Sequence, residues 1–216
     1  MKQTFTSHGR EYEIDQFGAV HQLDAKPYKY DENYIQTYNS PEYLLESELL
    51  QSLRFSYCCL AHHGRITSIL DVGYGAGQFM RYAIKYVPMV YGNDVTNVPI
   101  EGCEIVNCIE LSVDVITFWD CLEHIEDLSF LEKLNCKTIV ISLPFCHIHS
   151  QGNEWFDNNY IHRKPDEHLR HFDKQSLAKT MRHYGWNELV MPDYFEDIVR
   201  KPKHGLQNIL TMAFKR

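Results

Sequence analysis

The chain has 216 residues, 44% of them hydrophobic and 23% charged, which fits one compact domain with a sizeable core and a small appendage rather than two full domains. A formal charge of −8, from 29 acidic against 21 basic residues, repels polyanions and removes the counterion-release drive for nucleic-acid binding. No run approaches the roughly 20 apolar residues of a membrane span, and the N-terminal MKQTFTSHGREYEID has no stretch of signal-peptide length, so a cytoplasmic protein is expected. The seven cysteines form no CxxC spacing, and Cys103, Cys108 and Cys136 fall in or beside strand-like runs; they read as structural thiols.

Residues 10–23 partly alternate around a central glycine and predict a short hairpin or an extended arm. A tyrosine-rich segment, 28–43, follows. Ser40-Pro41 then signals a helix start, and Leu45, Leu49, Leu53 and Leu60 mark one helical face until His63-Gly64 stops it. From residue 66 short apolar runs alternate with helical stretches: strand ITSILDV, helix GQFMRYAIKYV, strands MVYGNDV, EIVNC and VDVITFW, helix CLEHIEDLSFLEKL, strand KTIVISL. That alternation predicts an α/β fold with a parallel sheet flanked by helices. Residues 144–172 read as an irregular stretch. Asp173 follows as an N-cap, with Phe172 and Leu177 as a hydrophobic staple for a helix ending near Tyr184-Gly185. The tail carries two apolar segments around KPKHG and predicts a hairpin that closes the sheet. The expected division is an N-terminal arm and helix over 1–64 and one compact core over 65–216.

The chemistry starts at ILDVGYGAGQFM, residues 69–80. A strand that ends in a glycine-rich turn and enters a helix brings backbone N–H groups and the positive helix end close to a ligand, with no Cβ in the way. Gly73, Gly75 and Gly77 fit that role. Asp94 ends the next strand, where a carboxylate accepts hydrogen bonds from ribose hydroxyls. Together they imply an adenosine-type cofactor. The spacing is G-x-G-x-G, and the dinucleotide fingerprint needs a glycine where this chain has Gln78.

Residues 69–79 resemble the first motif of class I S-adenosylmethionine-dependent methyltransferases, YGNDV resembles the second, and VDVITFWDCLEHIEDL continues the likeness, which spans about 66–214. Within the class the combination is most similar to the branch of ubiquinone-biosynthesis-type O-methyltransferases and small-molecule methyltransferases. The resemblance implies a Rossmann-like seven-stranded mixed sheet, parallel with an antiparallel last strand, and a tyrosine-rich helical lid. It implies S-adenosylmethionine as cofactor, held by Gly73, Tyr74, Gly75, Gly77, Asp94 and Trp119, and methyl transfer to a small-molecule acceptor, at oxygen by preference. Trp119 also has a plainer reading, as a side chain packed between sheet and helix. The chain departs from the family pattern between Asp94 and the fourth strand, where Pro99 and Gly102 argue against the usual helix. At the end of the third strand Asn107 stands where an adenine contact is common.

Asp120, Glu123 and His124 have the spacing of an ExxEH pattern that binds a divalent ion in some ubiquinone-type methyltransferases, with Asp in place of the first Glu; the same letters serve as a capping and packing motif, and no metal is assigned. The long 144–172 stretch sits on the cofactor rim and reads as the acceptor wall. His168 and His171 resemble the family's pre-helix H…F segment. With His124 they are the candidates for taking a proton from an acceptor hydroxyl, against the alternative that they shape the loop through backbone carbonyls. His147, His149 and His162 match no standard zinc spacing. Tyr34 and Tyr38, at i,i+4, suit either a lid or a packed helix face. The rival readings are a non-catalytic S-adenosylmethionine-binding protein and an NAD-dependent oxidoreductase. A nucleic-acid methyltransferase is disfavoured by the charge and by the lack of a DPPY-like or PC signature. The sequence leaves the oligomeric state open.

Overall fold

The structure is a computed structural model that describes residues 3–30, 41–106, 109 and 111–216, with the backbone alone over 41–47. Tyr34, Tyr38, Asn107 and Cys108 lie outside the described residues. The elements are β1 (Gln3–Ser7), β2 (Arg10–Ile14), β3 (Val20–Gln22), α1 (Pro41–His62), β4 (Ser68–Val72), α2 (Gln78–Ala83), β5 (Met89–Asn93), β6 (Glu104–Ile105), β7 (Val113–Trp119), β8 (Cys136–Pro144), α3 (Ile148–Gln151), α4 (Asn153–Asn158), β9 (Arg170–His171), α5 (Lys174–His183), β10 (Asn187–Leu189), α6 (Asp197–Arg200) and β11 (Ile209–Lys215).

Seven strands form the main sheet in the order β10-β11-β8-β7-β4-β5-β6. Strands β4 to β8 pair in parallel, while β11 runs antiparallel to both β8 and β10. Every residue of β4 and β7 is buried, as expected of central strands covered on both faces. Their side chains divide by the two-residue strand period. Leu70, Val72, Ile116 and Phe118 join Leu143, Leu177 and Trp186 on one face. Ile69 and Val115 join Val140, Phe79 and Met80 on the other, where Tyr57, Cys58 and Ala61 of α1 complete the layer. Full burial of each large apolar side chain contributes about 1.5–3 kcal/mol. The Trp186 indole avoids the cost of a stranded polar atom, because its Nε1–H donates to the Leu131 carbonyl at 2.9 Å.

The C-terminal closure, the α5 cap and its staple follow the sequence reading. Asp173 accepts from the Ser176 N–H at 2.7 Å in a capping box, and Phe172 and Leu177 are fully buried. Between Asp94 and β7 the described residues carry no helix, as Pro99 and Gly102 predicted.

The leucine face expected of α1 is not the one that packs: Leu49 and Leu60 are exposed, and Arg54, Tyr57, Cys58 and Ala61 are buried instead. Two further regions differ from the sequence reading. The helix expected over CLEHIEDLSFLEKL is two short 3-10 turns, Leu122–His124 and Ser129–Lys133. The Glu123 carbonyl accepts from the distant Leu169 N–H at 2.9 Å, Ile125 is extended, and Asp127 takes both the N–H and the hydroxyl of Ser129. These bonds divert the backbone from a helical ladder. The 144–172 stretch is not irregular throughout: it holds α3, α4 and β9, and β9 pairs with β3 to make a four-stranded antiparallel sheet, β1-β2-β3-β9. The N-terminal hairpin is thereby stitched to the rim. Tyr12 and Val20 pack with Cys146, Ile148, Phe156 and Tyr160, and Arg10 pairs with Asp166 at 2.5 Å.

Candidate cofactor and acceptor site

The parallel sheet opens its crevice at the carboxyl ends of β4, β5 and β7, where three loops meet. After β4 the chain turns through Gly73, Gly75 and Gly77, all at positive φ, of 71°, 53° and 74°. The three glycines have different reasons. A Cβ on Gly73 would run into the Cys121 side chain, and one on Gly77 into Ile100. A Cβ on Gly75 would meet nothing within 4 Å. Gly73 and Gly77 are therefore required by packing, while Gly75 keeps open the space over the loop. The loop is also tied down: Gly73 N–H donates to the Asn93 carbonyl and Gly77 N–H to the Tyr74 carbonyl, each at 2.8 Å.

Asp94 splints this loop to its own. One carboxylate oxygen accepts from Gly75 N–H at 2.9 Å, and the other from the N–H and hydroxyl of Thr96 at 2.9 and 2.7 Å. Tyr74 reaches across to donate to the Val98 carbonyl at 2.8 Å. Below the loop, Asp71 at the end of β4 is buried and accepts from the Thr117 hydroxyl at 2.7 Å. Burial outweighs that bond and pushes its carboxyl up to about 7.

These groups wall one end of a cavity of about 490 Å³, which runs on past Trp119 to Tyr30, His124 and Arg200. Trp119 packs edge-on against Phe79 and carries the Arg54 guanidinium 4.8 Å over its ring. Its buried Nε1–H meets no acceptor among the described residues, so a donor on the cavity wall is left for a ligand. Beside it, Asp120 sits at φ 51°, a backbone state uncommon outside glycine. Its carboxylate is clamped by Arg200 at 2.7 and 2.8 Å and by Arg54 at 3.0 Å. Both arginines also bind the fully buried Glu196, at 2.8 and 3.1 Å from Arg54 and 3.2 Å from Arg200. Burial alone would raise Asp120, but Arg200 and Arg54 hold it well below the usual carboxylate range. The network joins α1, the end of β7 and α6 around one side of the cavity.

The three predicted histidines are gathered but not equivalent. His124 lines the cavity, and its Nδ1 shares a hydrogen bond with the Tyr30 hydroxyl at 2.9 Å. His168 stands behind it, ring centroids 4.7 Å apart, and is buried; burial, then His124 and His171, push its pKa down. His171 is buried deeper, among Tyr12, Phe156 and Tyr160, and burial lowers it to about 3. Neither His168 nor His171 reaches the cavity wall, and neither does Gly77; Gly73, Tyr74, Gly75, Asp94 and Trp119 do. His147, His149 and His162 serve local structure, each bonded at 2.7 Å, to the Gln207 carbonyl, the Gly18 carbonyl and the Asn208 side chain. One ligand atom each of Glu123, His124 and His168 lies within 4.8 Å of the others, a set with the donor types of a metal site. Sequence reasoning named the tyrosine-rich segment that holds Tyr30 but not the residue, and it missed Arg54, Asp71 and Arg200. Asp71 alone had a local signal, an acidic residue inside an apolar strand two places before the first loop glycine.

A mostly parallel sheet whose last strand is reversed, with a glycine loop and an acidic residue at adjacent strand ends, defines a Rossmann-like fold of the nucleoside-cofactor type. The family profile described as "Methyltransferase domain" matches residues 40–190. The chain belongs to that family: it is a class I S-adenosylmethionine-dependent methyltransferase, and S-adenosylmethionine is its cofactor. No curated protein matches it in sequence. Among solved structures it is similar to 1,6-didemethyltoxoflavin-N1-methyltransferase from Burkholderia thailandensis, with 1,6-didemethyltoxoflavin and S-adenosylhomocysteine bound. That likeness has 17% identity and a TM-score of 0.59 over 100% of this chain and 98% of the other. An S-adenosylmethionine-dependent methyltransferase from Clostridium acetobutylicum matches at 13% identity and TM-score 0.58, over 85% of this chain and 97% of its own. Magnesium protoporphyrin IX methyltransferase from Synechocystis, with S-adenosylhomocysteine bound, matches at 12% and 0.52, over 86% and 100%. At these identities the likeness is one of fold. No helix among the described residues is long and apolar enough to cross a membrane.

Proposed function

We propose that the chain transfers the methyl group of S-adenosylmethionine to an oxygen of a small-molecule acceptor. The observation that carries this reading is a single cavity with two chemically different ends: the loop at Gly73–Ala76 with Asp94, and the Tyr30–His124 pair with Trp119 between. Asp94 would hold the adenosine ribose, the open space over Gly75 would take the methionine portion, and Asp71 would offer a carboxylate to its cationic end. The cofactor would supply the sulfonium methyl group, and Trp119 and His124, the one predicted histidine on the wall, line the part of the cavity left for the acceptor. Methyl transfer is an in-line displacement, so alignment and exclusion of water supply most of the help. Of the two ends, the His124 end meets the acceptor hydroxyl. A net charge of −8 supports a small acceptor over a nucleic acid.

The N1-methyltransferase of Burkholderia thailandensis motivates a second reading, transfer to a ring nitrogen. Incubation with labelled S-adenosylmethionine and a metabolite extract, followed by mass spectrometry of the methylated product, separates the two. An O-methyl product supports the proposal; an N-methyl product replaces it with the second reading, and no S-adenosylhomocysteine from any pool overturns both.

A further inference from the structure

We propose that the Tyr30 hydroxyl, and not the His124 ring, is the group that takes the proton from the acceptor, with His124 behind it as the positioning residue that receives the phenol's own proton. Both side chains line the cavity. The His124 ring is held on two sides: its Nδ1 lies 2.9 Å from the Tyr30 hydroxyl, and the ring also donates to the backbone carbonyl of Glu167. A neutral imidazole has one N–H and one lone pair, and burial favours the neutral ring here. With Nδ1 facing Tyr30, the single N–H that reaches Glu167 is on Nε2. Nδ1 therefore accepts from the Tyr30 hydroxyl, and neither ring nitrogen is left for the acceptor.

A phenol oxygen that donates its hydrogen keeps two lone pairs, so the Tyr30 oxygen is the member of the pair that can still accept a proton at the cavity wall. The acceptor oxygen bonds to the methyl carbon as the carbon–sulfur bond of the sulfonium breaks. The acceptor's proton passes to the Tyr30 oxygen, and the Tyr30 proton passes to His124 Nδ1. The products are the methylated oxygen, S-adenosylhomocysteine and an imidazolium whose Nε2–H still meets the Glu167 carbonyl, so the positive charge that leaves the sulfonium is carried by the ring. Burial first, then the Glu167 carboxylate, raise the Tyr30 hydroxyl above its ordinary value, so the phenol gives up its proton only as it gains one. His168, with its ring centroid 4.7 Å from that of His124 and nearly perpendicular to it, backs the imidazole where Tyr30 meets it. The relay rests on the oxygen-acceptor reading. The hydrogen-bond pattern stands without it.

The first measurement needs no acceptor: nitrogen NMR of the full chain carrying isotope-labelled histidine, with S-adenosylhomocysteine bound and the His124 signals identified by their loss in His124→Asn. The expected pattern is a protonated Nε2 and an unprotonated Nδ1 whose signal moves in Tyr30→Phe. Initial rates are then read with labelled S-adenosylmethionine at saturation and a metabolite extract added until the rate no longer rises. Tyr30→Phe should lower that rate at least about 100-fold, with S-adenosylhomocysteine affinity within about threefold of wild type as the check of fold and cofactor end. The double variant with His124→Asn should fall less than about threefold below the slower single variant, because the two residues act as a unit. A protonated Nδ1 in the wild-type chain overturns the proposal. So does a Tyr30→Phe rate within about threefold of wild type or above it, the result expected if freeing Nδ1 lets His124 act on the acceptor directly. An N-methyl product overturns the oxygen reading and the relay built on it, while the tautomer measured without acceptor stands.

Discussion

Substitution of the three loop glycines separates the cofactor cradle from the fold, because only one of them faces open space. Gly75 lies at φ 53° and an added Cβ meets nothing within 4 Å, so Gly75→Ala suffers the left-handed backbone cost alone, about 1–2 kcal/mol. In a chain of 216 residues this lowers Tm by roughly 2–8 °C. Gly73→Ala has the same backbone cost at φ 71° and also drives a methyl group into Cys121, adding about 1–3 kcal/mol of overpacking. Gly77→Ala meets Ile100 in the same way. Gly75→Leu extends a side chain from the cavity wall into the space the methionine portion needs. If displacing it costs the same 1–3 kcal/mol, S-adenosylhomocysteine binds about 5- to 150-fold more weakly. Thermal unfolding without ligand and calorimetric titration with S-adenosylhomocysteine measure the two effects separately. Wild-type affinity in a folded Gly75→Leu, or a Gly73→Ala no less stable than Gly75→Ala, refutes the division of labour.

Two further perturbations test the site. Asp71 sits buried at about 7, above its unfolded value, so without ligand its contribution to stability is present at low pH and is lost as pH rises from about 4 through 7. A cationic ligand end reverses the preference by favouring the carboxylate, so cofactor affinity should rise about tenfold between pH 6 and pH 8 with release of a proton; titration in buffers of different ionisation heat reads this, and a flat profile removes Asp71 from the cofactor's charged end. Arg54→Leu strips Glu196 and Asp120 of a shared partner inside the chain. Breaking a buried pair in this way costs about 3–5 kcal/mol, and a urea midpoint within error of wild type would show that Arg200 alone satisfies both carboxylates.

The parts of the fold that were legible in the sequence are those in which residues close along the chain decide the outcome. The apolar runs of β4, β7 and β8 are buried on both faces, so they read as strands without knowledge of their neighbours. The glycine loop and Asp94 were legible for the same reason, since a turn at positive φ and a strand-end carboxylate are local features. The four-stranded sheet was not: β9 is two residues long, and it exists because β3 pairs with it across about 150 positions of sequence. The helix expected after β7 failed through the same pairing, as Leu169, next to β9, takes the Glu123 carbonyl.

Asp120 and His168 show how this limit falls on the chemistry. Spacing alone groups Asp120 with Glu123 and His124, because three and four residues along a helix share a face. The segment is a 3-10 turn, and Arg54 and Arg200, 66 and 80 residues away, draw the Asp120 carboxylate to the opposite task. His168, not Asp120, stands beside His124, brought there by the stretch that β9 anchors. A spacing pattern therefore names the donor types available at this end of the cavity, but long-range pairing decides which of them meet. The remote arginines therefore decide the role of Asp120 as much as its own spacing does, because between them they take both of its carboxylate oxygens.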